Sequence, residues 1–218
     1  MKSERRAALL IGFLTVLNMV GSGLVNFGME GPLFDAPGFL VNAAPHSSQI
    51  GLAVLFGIAT EALALGVAVT ACPIFFARSQ RMAVWLIALA AIGLTLGVVE
   101  NMGVMSMVSL SDAYTNANDV GREQLQNVKI LATSARNWPH FLSRMFDASA
   151  IFVFYATLFR FAMVPRTLAF IGLPCSLMVI VSVAMPIFGR EVIFPMLAPM
   201  GICQLILAVW LISKGFRP

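Results

Sequence analysis

Residues 138–160 read Trp-Pro-His-Phe-Leu-Ser-Arg-Met-Phe-Asp-Ala-Ser-Ala-Ile-Phe-Val-Phe-Tyr-Ala-Thr-Leu-Phe-Arg. Wound as a helix, Asn137, His140, Arg144, Asp147, Ile151 and Tyr155 recur at steps of three or four and share one stripe. Around that stripe Phe141, Leu142, Phe146, Phe152 to Phe154, Leu158 and Phe159 make the segment as apolar as a lipid-facing helix. Such a run fits a bilayer crossing. A cation, an anion and an imidazole on one face of it are costly to bury, which makes the stripe a candidate functional site.

The rest of the chain has the same character. Of its 218 residues 59% are hydrophobic and 11% charged, and the mean hydropathy is +0.89. These values lie far from those of soluble domains. Apolar runs of bilayer length predict helices over about 7–27, 49–76, 82–110, 138–160, 166–188 and 192–213. Two polar connections, 28–48 and 111–137, lie between them. The reading is an all-α, six-transmembrane-helix bundle forming a single domain over 1–218, with no soluble catalytic domain. The long apolar segment after Lys2, Arg5 and Arg6 carries no convincing cleavage site, so it reads as an uncleaved first span.

The net charge of +4 reflects orientation and does not point to nucleic acid. Lys2, Arg5, Arg6, Arg78, Arg81, Arg160, Arg166, Lys214 and Arg217 fall on one side, and Arg122, Lys129, Arg136 and Arg190 on the other. Nine cations against four place both termini in the cytoplasm, N-in and C-in. Cys72, Cys175 and Cys203 lie in or beside apolar runs, form no ligand-spaced motif, and read as small packing residues.

Both long connections carry local signals. The segment 28–48 is punctuated by Gly31, Pro32, Pro37, Gly38 and Pro45, and holds Glu30, Asp35 and His46. It reads either as a solvated connector or as a lid on a cavity. In 111–137, Leu125, Val128, Leu131 and Ala135 recur at helical spacing after a cap at Asn118 or Asp119. A short amphipathic helix on the outer membrane face fits that pattern.

Other ionisable groups fall at overlapping depths. At about 1.5 Å per residue, Glu61 sits near the midplane of the second helix. Glu100 and Asn101 lie in the outer half of the third, and Arg144 and Asp147 in the outer half of the fourth, with His140 nearer the interface. Three carboxylates against one arginine leave an excess of negative charge that apolar surroundings penalise. A bound proton, a charged His140 or a cation would restore the balance. Arg144 and Asp147 can pair along their own helix.

The expected site is an outward-facing pocket lined by Glu61, Glu100, Asn101, His140, Arg144, Asp147 and Tyr155, taking a small or lipid-like ligand for sensing or proton-linked transport. The alternatives are an intramembrane enzyme on a hydrophobic substrate, with or without a metal, and a structural subunit in which buried charge fixes helix register. No histidine pair has metalloprotease spacing. Haem between His46 and His140 and copper at Met102, Met105 and Met107 are weaker than loop and core-packing readings of the same residues. The sequence names no cofactor and no reaction. Expected partners are membrane lipids and a small or lipid-like ligand, and a homo-oligomer is compatible with six helices.

Two stretches carry a family likeness: Val164-Pro165-Arg166-Thr167-Leu168-Ala169-Phe170-Ile171-Gly172 and Trp210-Leu211-Ile212-Ser213-Lys214-Gly215-Phe216. With Arg6-Ala7 before the first helix and the buried Glu100, the chain resembles a bacterial six-helix membrane family catalogued as domain of unknown function 4386. The resemblance implies a six-helix inner-membrane protein and no particular activity. Family members often carry an arginine three residues before the glutamate. Here Gly97 stands at that position, so a cation for Glu100 has to come from another helix.

Overall fold

The computed structural model describes residues 2–217, without the side chains of Lys2 (one of the cations counted above) and Pro32. Among the described residues every regular element is helical. In order these are α1 (Lys2–Gly23), a π-helical turn (Leu24–Met29), α2 (Gly31–Phe34), α3 (Phe39–Asn42), α4 (Ser47–Phe76), α5 (Gln80–Asn116), α6 (Asp119–Arg160), α7 (Arg166–Ala184) and α8 (Ala198–Ser213). Short 3-10 turns at Met185–Phe188 and Phe194–Met196 lie between α7 and α8.

Six helical stretches are long and apolar enough to cross a bilayer: Ser3–Met29, Ser47–Phe76, Gln80–Asn116, Asp119–Arg160, Arg166–Phe188 and Phe194–Ser213. Large apolar side chains face outward along them, among them Leu55, Trp85, Met102, Phe170 and Ile202. Water would penalise such a surface, whereas hydrocarbon tails cover it at no cost. The protein is a multi-pass membrane protein.

One expected boundary does not hold. The separate surface helix within 111–137 and the span expected to start at 138 are one continuous helix, α6, of 42 residues. Its start does follow the expected cap, since the Gly121 amide donates to Asn118 Oδ1 at 2.9 Å. Pro139 lies inside the helix and does not end it. With 37 residues in α5 and 42 in α6, these helices reach about 55 and 63 Å at 1.5 Å per residue, well beyond a hydrocarbon core of about 30 Å. Their polar ends can therefore be helical without lying in lipid. The 28–48 connection likewise contains the two short helices α2 and α3.

The chain forms two compact units. The first comprises Met1–Met19, Glu61–Thr95 and Phe141–Pro218. Its core is aliphatic and aromatic: Ile11, Phe75, Leu86, Phe154, Leu158, Val164 and Leu211 are all buried, with the Phe75 and Phe154 rings 5.2 Å apart. The Arg5 guanidinium closes the end of α8, donating to Leu211 O at 2.8 Å, Ile212 O at 2.7 Å and Ser213 O at 3.2 Å. These are carbonyls that the end of a helix leaves without intrahelical partners, and a cation suits the negative end of the helix dipole. Ser182 ties the α7–α8 connection, exchanging bonds with the Ile193 amide and carbonyl, both at 3.0 Å.

The second unit comprises Val20–Thr60 and Leu96–His140. Leu33, Phe39, Leu40 and Ala43 of the 28–48 connection pack with Ile50, Val104, Met107 and Val108. The Ser111 hydroxyl fixes that connection from α5, donating to Leu40 O at 3.0 Å and accepting from the Ala44 amide at 2.8 Å. Segment 28–48 is thus a packed part of this unit.

Candidate functional site

In the second unit an acidic and a basic pair meet on α5, α6 and the residue that follows the π-helical turn. Arg136 Nη2 lies 2.9 Å from Glu30 Oε2 and 3.2 Å from Glu100 Oε1. His140 Nδ1 lies 2.8 Å from the same Glu100 oxygen. Arg136 and His140 are one turn apart on α6, so both can reach a single carboxylate on α5. The side chains of Glu30, Arg136 and Glu100 are 6, 8 and 10% exposed, and that of His140 22%. Phe34 covers Arg136, with its ring centre 4.9 Å from the guanidinium carbon.

Helix packing explains how the charges approach. A Cβ at Gly103 would come within 2.8 Å of Arg136 Cα and 3.0 Å of Ala135 O. Only glycine lets the α6 backbone lie this close to α5, one turn from Glu100. Two carboxylates face one arginine here, so a protonated His140 or a proton on a carboxylate brings the cluster to neutrality. Burial pushes the Glu30 carboxyl above its ordinary value, Arg136 pulls it back, and Glu100 pushes it up again.

The first unit holds a separate centre. Arg144 Nη2 is bonded to Glu61 Oε1, and lies 3.4 Å from Asp147 Oδ2 on its own helix. It also donates to Ser143 Oγ at 3.3 Å, while the Ser143 hydroxyl donates to Gly93 O at 3.0 Å. The Glu61 side chain is 9% exposed and that of Arg144 31%. Arg144 Nε is buried and makes no hydrogen bond, and the same holds for Arg136 Nε in the other unit.

Of the seven residues expected to share a pocket, Glu100 and His140 come together in one unit, and Glu61, Arg144 and Asp147 in the other. Asn101 instead donates to Gly97 O of its own helix at 2.8 Å. It lines a shallow apolar groove of about 310 Å³ with Val54, Ile58, Val98, Met102 and Met105. Tyr155 is buried against Gly172, and its hydroxyl has no hydrogen-bond partner.

The sequence reading missed Glu30 and Arg136 as site residues. Continuing the α6 stripe one turn back from His140 would have found Arg136. Glu30 carries no comparable signal, because its burial comes from the fold of 28–48. The cation for Glu100 does come from another helix, as the glycine at position 97 requires. Among the described residues no cluster of three or more His, Cys, Asp or Glu side chains is arranged to hold a metal ion.

The model of the family described as domain of unknown function (DUF4386) matches residues 10–215. No curated protein matches the chain, and no solved structure does.

Proposed function

From the premise that the chain belongs to the DUF4386 family, we propose that it is a six-pass protein of the bacterial inner membrane that binds a small or lipid-like ligand by proton-linked recognition. Both termini are cytoplasmic in this reading, on the nine-to-four distribution of cations. The connections 28–48 and 117–118 are then extracytoplasmic, and Glu30, Glu100, Arg136 and His140 lie toward that side.

The observation that carries the reading is the sharing of Glu100 between Arg136 and His140, with Glu30 on the same arginine. Two nearly buried acids, one fixed cation and one titratable imidazole differ from neutrality by a single proton. Such a centre takes up or releases a proton when a charged ligand arrives. Arg136 Nε is a buried donor awaiting an acceptor, which suits an acidic group on the ligand. The apolar groove beside Asn101 suits a hydrocarbon tail.

Native mass spectrometry of the purified full chain, with lipids and small anions retained, tests this. Wild type is expected to hold an acidic ligand that Arg136→Gln or Glu100→Gln loses while remaining folded. Retention unchanged in both folded variants would end the proposal.

A second reading, an intramembrane enzyme, is favoured by the His140–Glu100 bond of 2.8 Å. A carboxylate on one ring nitrogen orients an imidazole for general acid–base work at the other. Turnover of a hydrophobic ester or amide that disappears in His140→Gln but persists in Arg144→Ala would select it. If charge-neutralised variants only unfold, with no ligand or turnover to lose, the structural-subunit reading stands instead.

A further inference from the structure

The first unit holds a further group of polar side chains. Cys175 on α7 and Cys203 on α8 are free thiols, both buried, and the Cys203 thiol points at Cys175 Sγ across 3.7 Å. Tyr155 on α6 has both thiols as electrostatic neighbours. Its ring is pressed onto Gly172, where any Cβ would collide with it. Gly172 and Cys175 are three residues apart on α7, so ring and sulfur share one face. Tyr155 is 1% exposed, yet its hydroxyl has no partner. A buried donor left unpaired is rare and calls for an explanation.

We propose that Cys175 and Cys203 are a redox-active dithiol, oxidised to a disulfide between α7 and α8 by a lipid-soluble quinone, with Tyr155 as its positioning residue. The two sulfurs need to close from 3.7 Å to a bond of about 2.05 Å. In the reaction two S–H bonds break and one S–S bond forms. The two electrons and two protons pass to the quinone, which leaves as hydroquinone. The attacking species is the thiolate. The Tyr155 O–H can donate to that sulfur as charge develops, which gives the lone hydroxyl its acceptor. The oxidant is quinone-like because both sulfurs lie within apolar helices (Ile171, Leu177, Ile202 and Ile206 face outward around them), where water-soluble oxidants are excluded. Sequence spacing alone suggested packing cysteines, because the pair forms only when α7 and α8 meet.

The full chain in lipid nanodiscs, reduced and then exposed to decylubiquinone or to oxidised glutathione, supplies the test. Alkylation in denaturant counts remaining thiols, and peptide mass spectrometry identifies the link. Quinone is expected to lower the free thiols from three to one, the survivor being Cys72, while oxidised glutathione leaves all three. Cys175→Ser or Cys203→Ser abolishes the loss, and Cys72→Ser does not. Tyr155→Phe is expected to slow the quinone reaction severalfold while copper-phenanthroline still drives it to completion. Three free thiols after quinone, or a link involving Cys72, overturns the dithiol. An unchanged rate in Tyr155→Phe overturns the role of the tyrosine.

Discussion

The Arg136 guanidinium meets the Glu30 carboxylate at 2.9 Å, joining residues 106 apart in sequence, with both side chains nine-tenths or more buried. The same guanidinium nitrogen serves Glu100. Removing Arg136 therefore strands two acids together. Breaking a buried pair from one side costs about 3–5 kcal/mol. Arg136→Gln is expected to lose stability of that order at neutral pH, measured by thermal unfolding in detergent. The loss should shrink as pH falls, because a protonated Glu30 no longer needs a cation. A deficit independent of pH would show that the arginine acts through packing alone.

Glu30 itself sets a pH dependence with a definite sign. Burial raises its carboxyl above the ordinary 4.5, with Arg136 opposing and Glu100 adding. A group whose folded value is raised stabilises the fold below its unfolded value, and that contribution is lost as pH rises through the folded value. Wild type should thus lose stability relative to Glu30→Gln as pH climbs above 4.5 and through the raised folded value. Parallel stability curves for the two proteins would contradict the burial argument.

Gly103 and Gly51 make a matched pair. A Cβ at Gly103 meets the α6 backbone at 2.8–3.0 Å, and one at Gly51 meets nothing within 4 Å. Gly103→Ala should cost about 1–3 kcal/mol through overpacking, and disturb the Arg136–Glu100 contact. Gly51→Ala should be neutral or stabilise by up to about 1 kcal/mol, since alanine favours helix. Equal effects in thermal unfolding would refute the close approach of α5 and α6.

How much of this was legible beforehand differs between fold and site. The spans were legible because a bilayer requires long apolar runs, and Trp138–Arg160 could hardly be anything else. The junction near 137–138 differs from expectation because the change from polar to apolar residues there reads as a break between a surface helix and a span. A helix longer than the bilayer is thick is polar where it emerges, and a single internal proline such as Pro139 need not end it. Glu100, Arg144 and His140 stood out against apolar neighbours. Arg136 sits among polar residues and Glu30 in a connection punctuated by glycine and proline, and it is the fold of the second unit that buries them. Local sequence reports how a residue compares with its neighbours, and burial by a distant segment leaves no such trace.

Arg5 offers a test at the chain ends. Its three bonds cap α8 at Leu211, Ile212 and Ser213. Arg5→Gln should raise amide hydrogen exchange over the last turn of α8 and the following Lys214-Gly215-Phe216, leaving α5 unchanged. Protection that is unaltered at the end of α8 would mean the carbonyls find other partners.

The proposed orientation is checked by labelling. Ala77 and Asn116 are both exposed, and lie at opposite ends of α5, which begins at Gln80 and ends at Asn116. If the termini are cytoplasmic, Ala77→Cys is inside and Asn116→Cys outside. A membrane-impermeant maleimide applied to intact cells should then label only Asn116→Cys, with Ala77→Cys reacting after lysis. The reverse pattern would invert the topology and move Glu30, Glu100, Arg136 and His140 to the cytoplasmic side. Any ligand they take would then have to come from the cell interior, so the labelling result also selects which pool of ligands to screen.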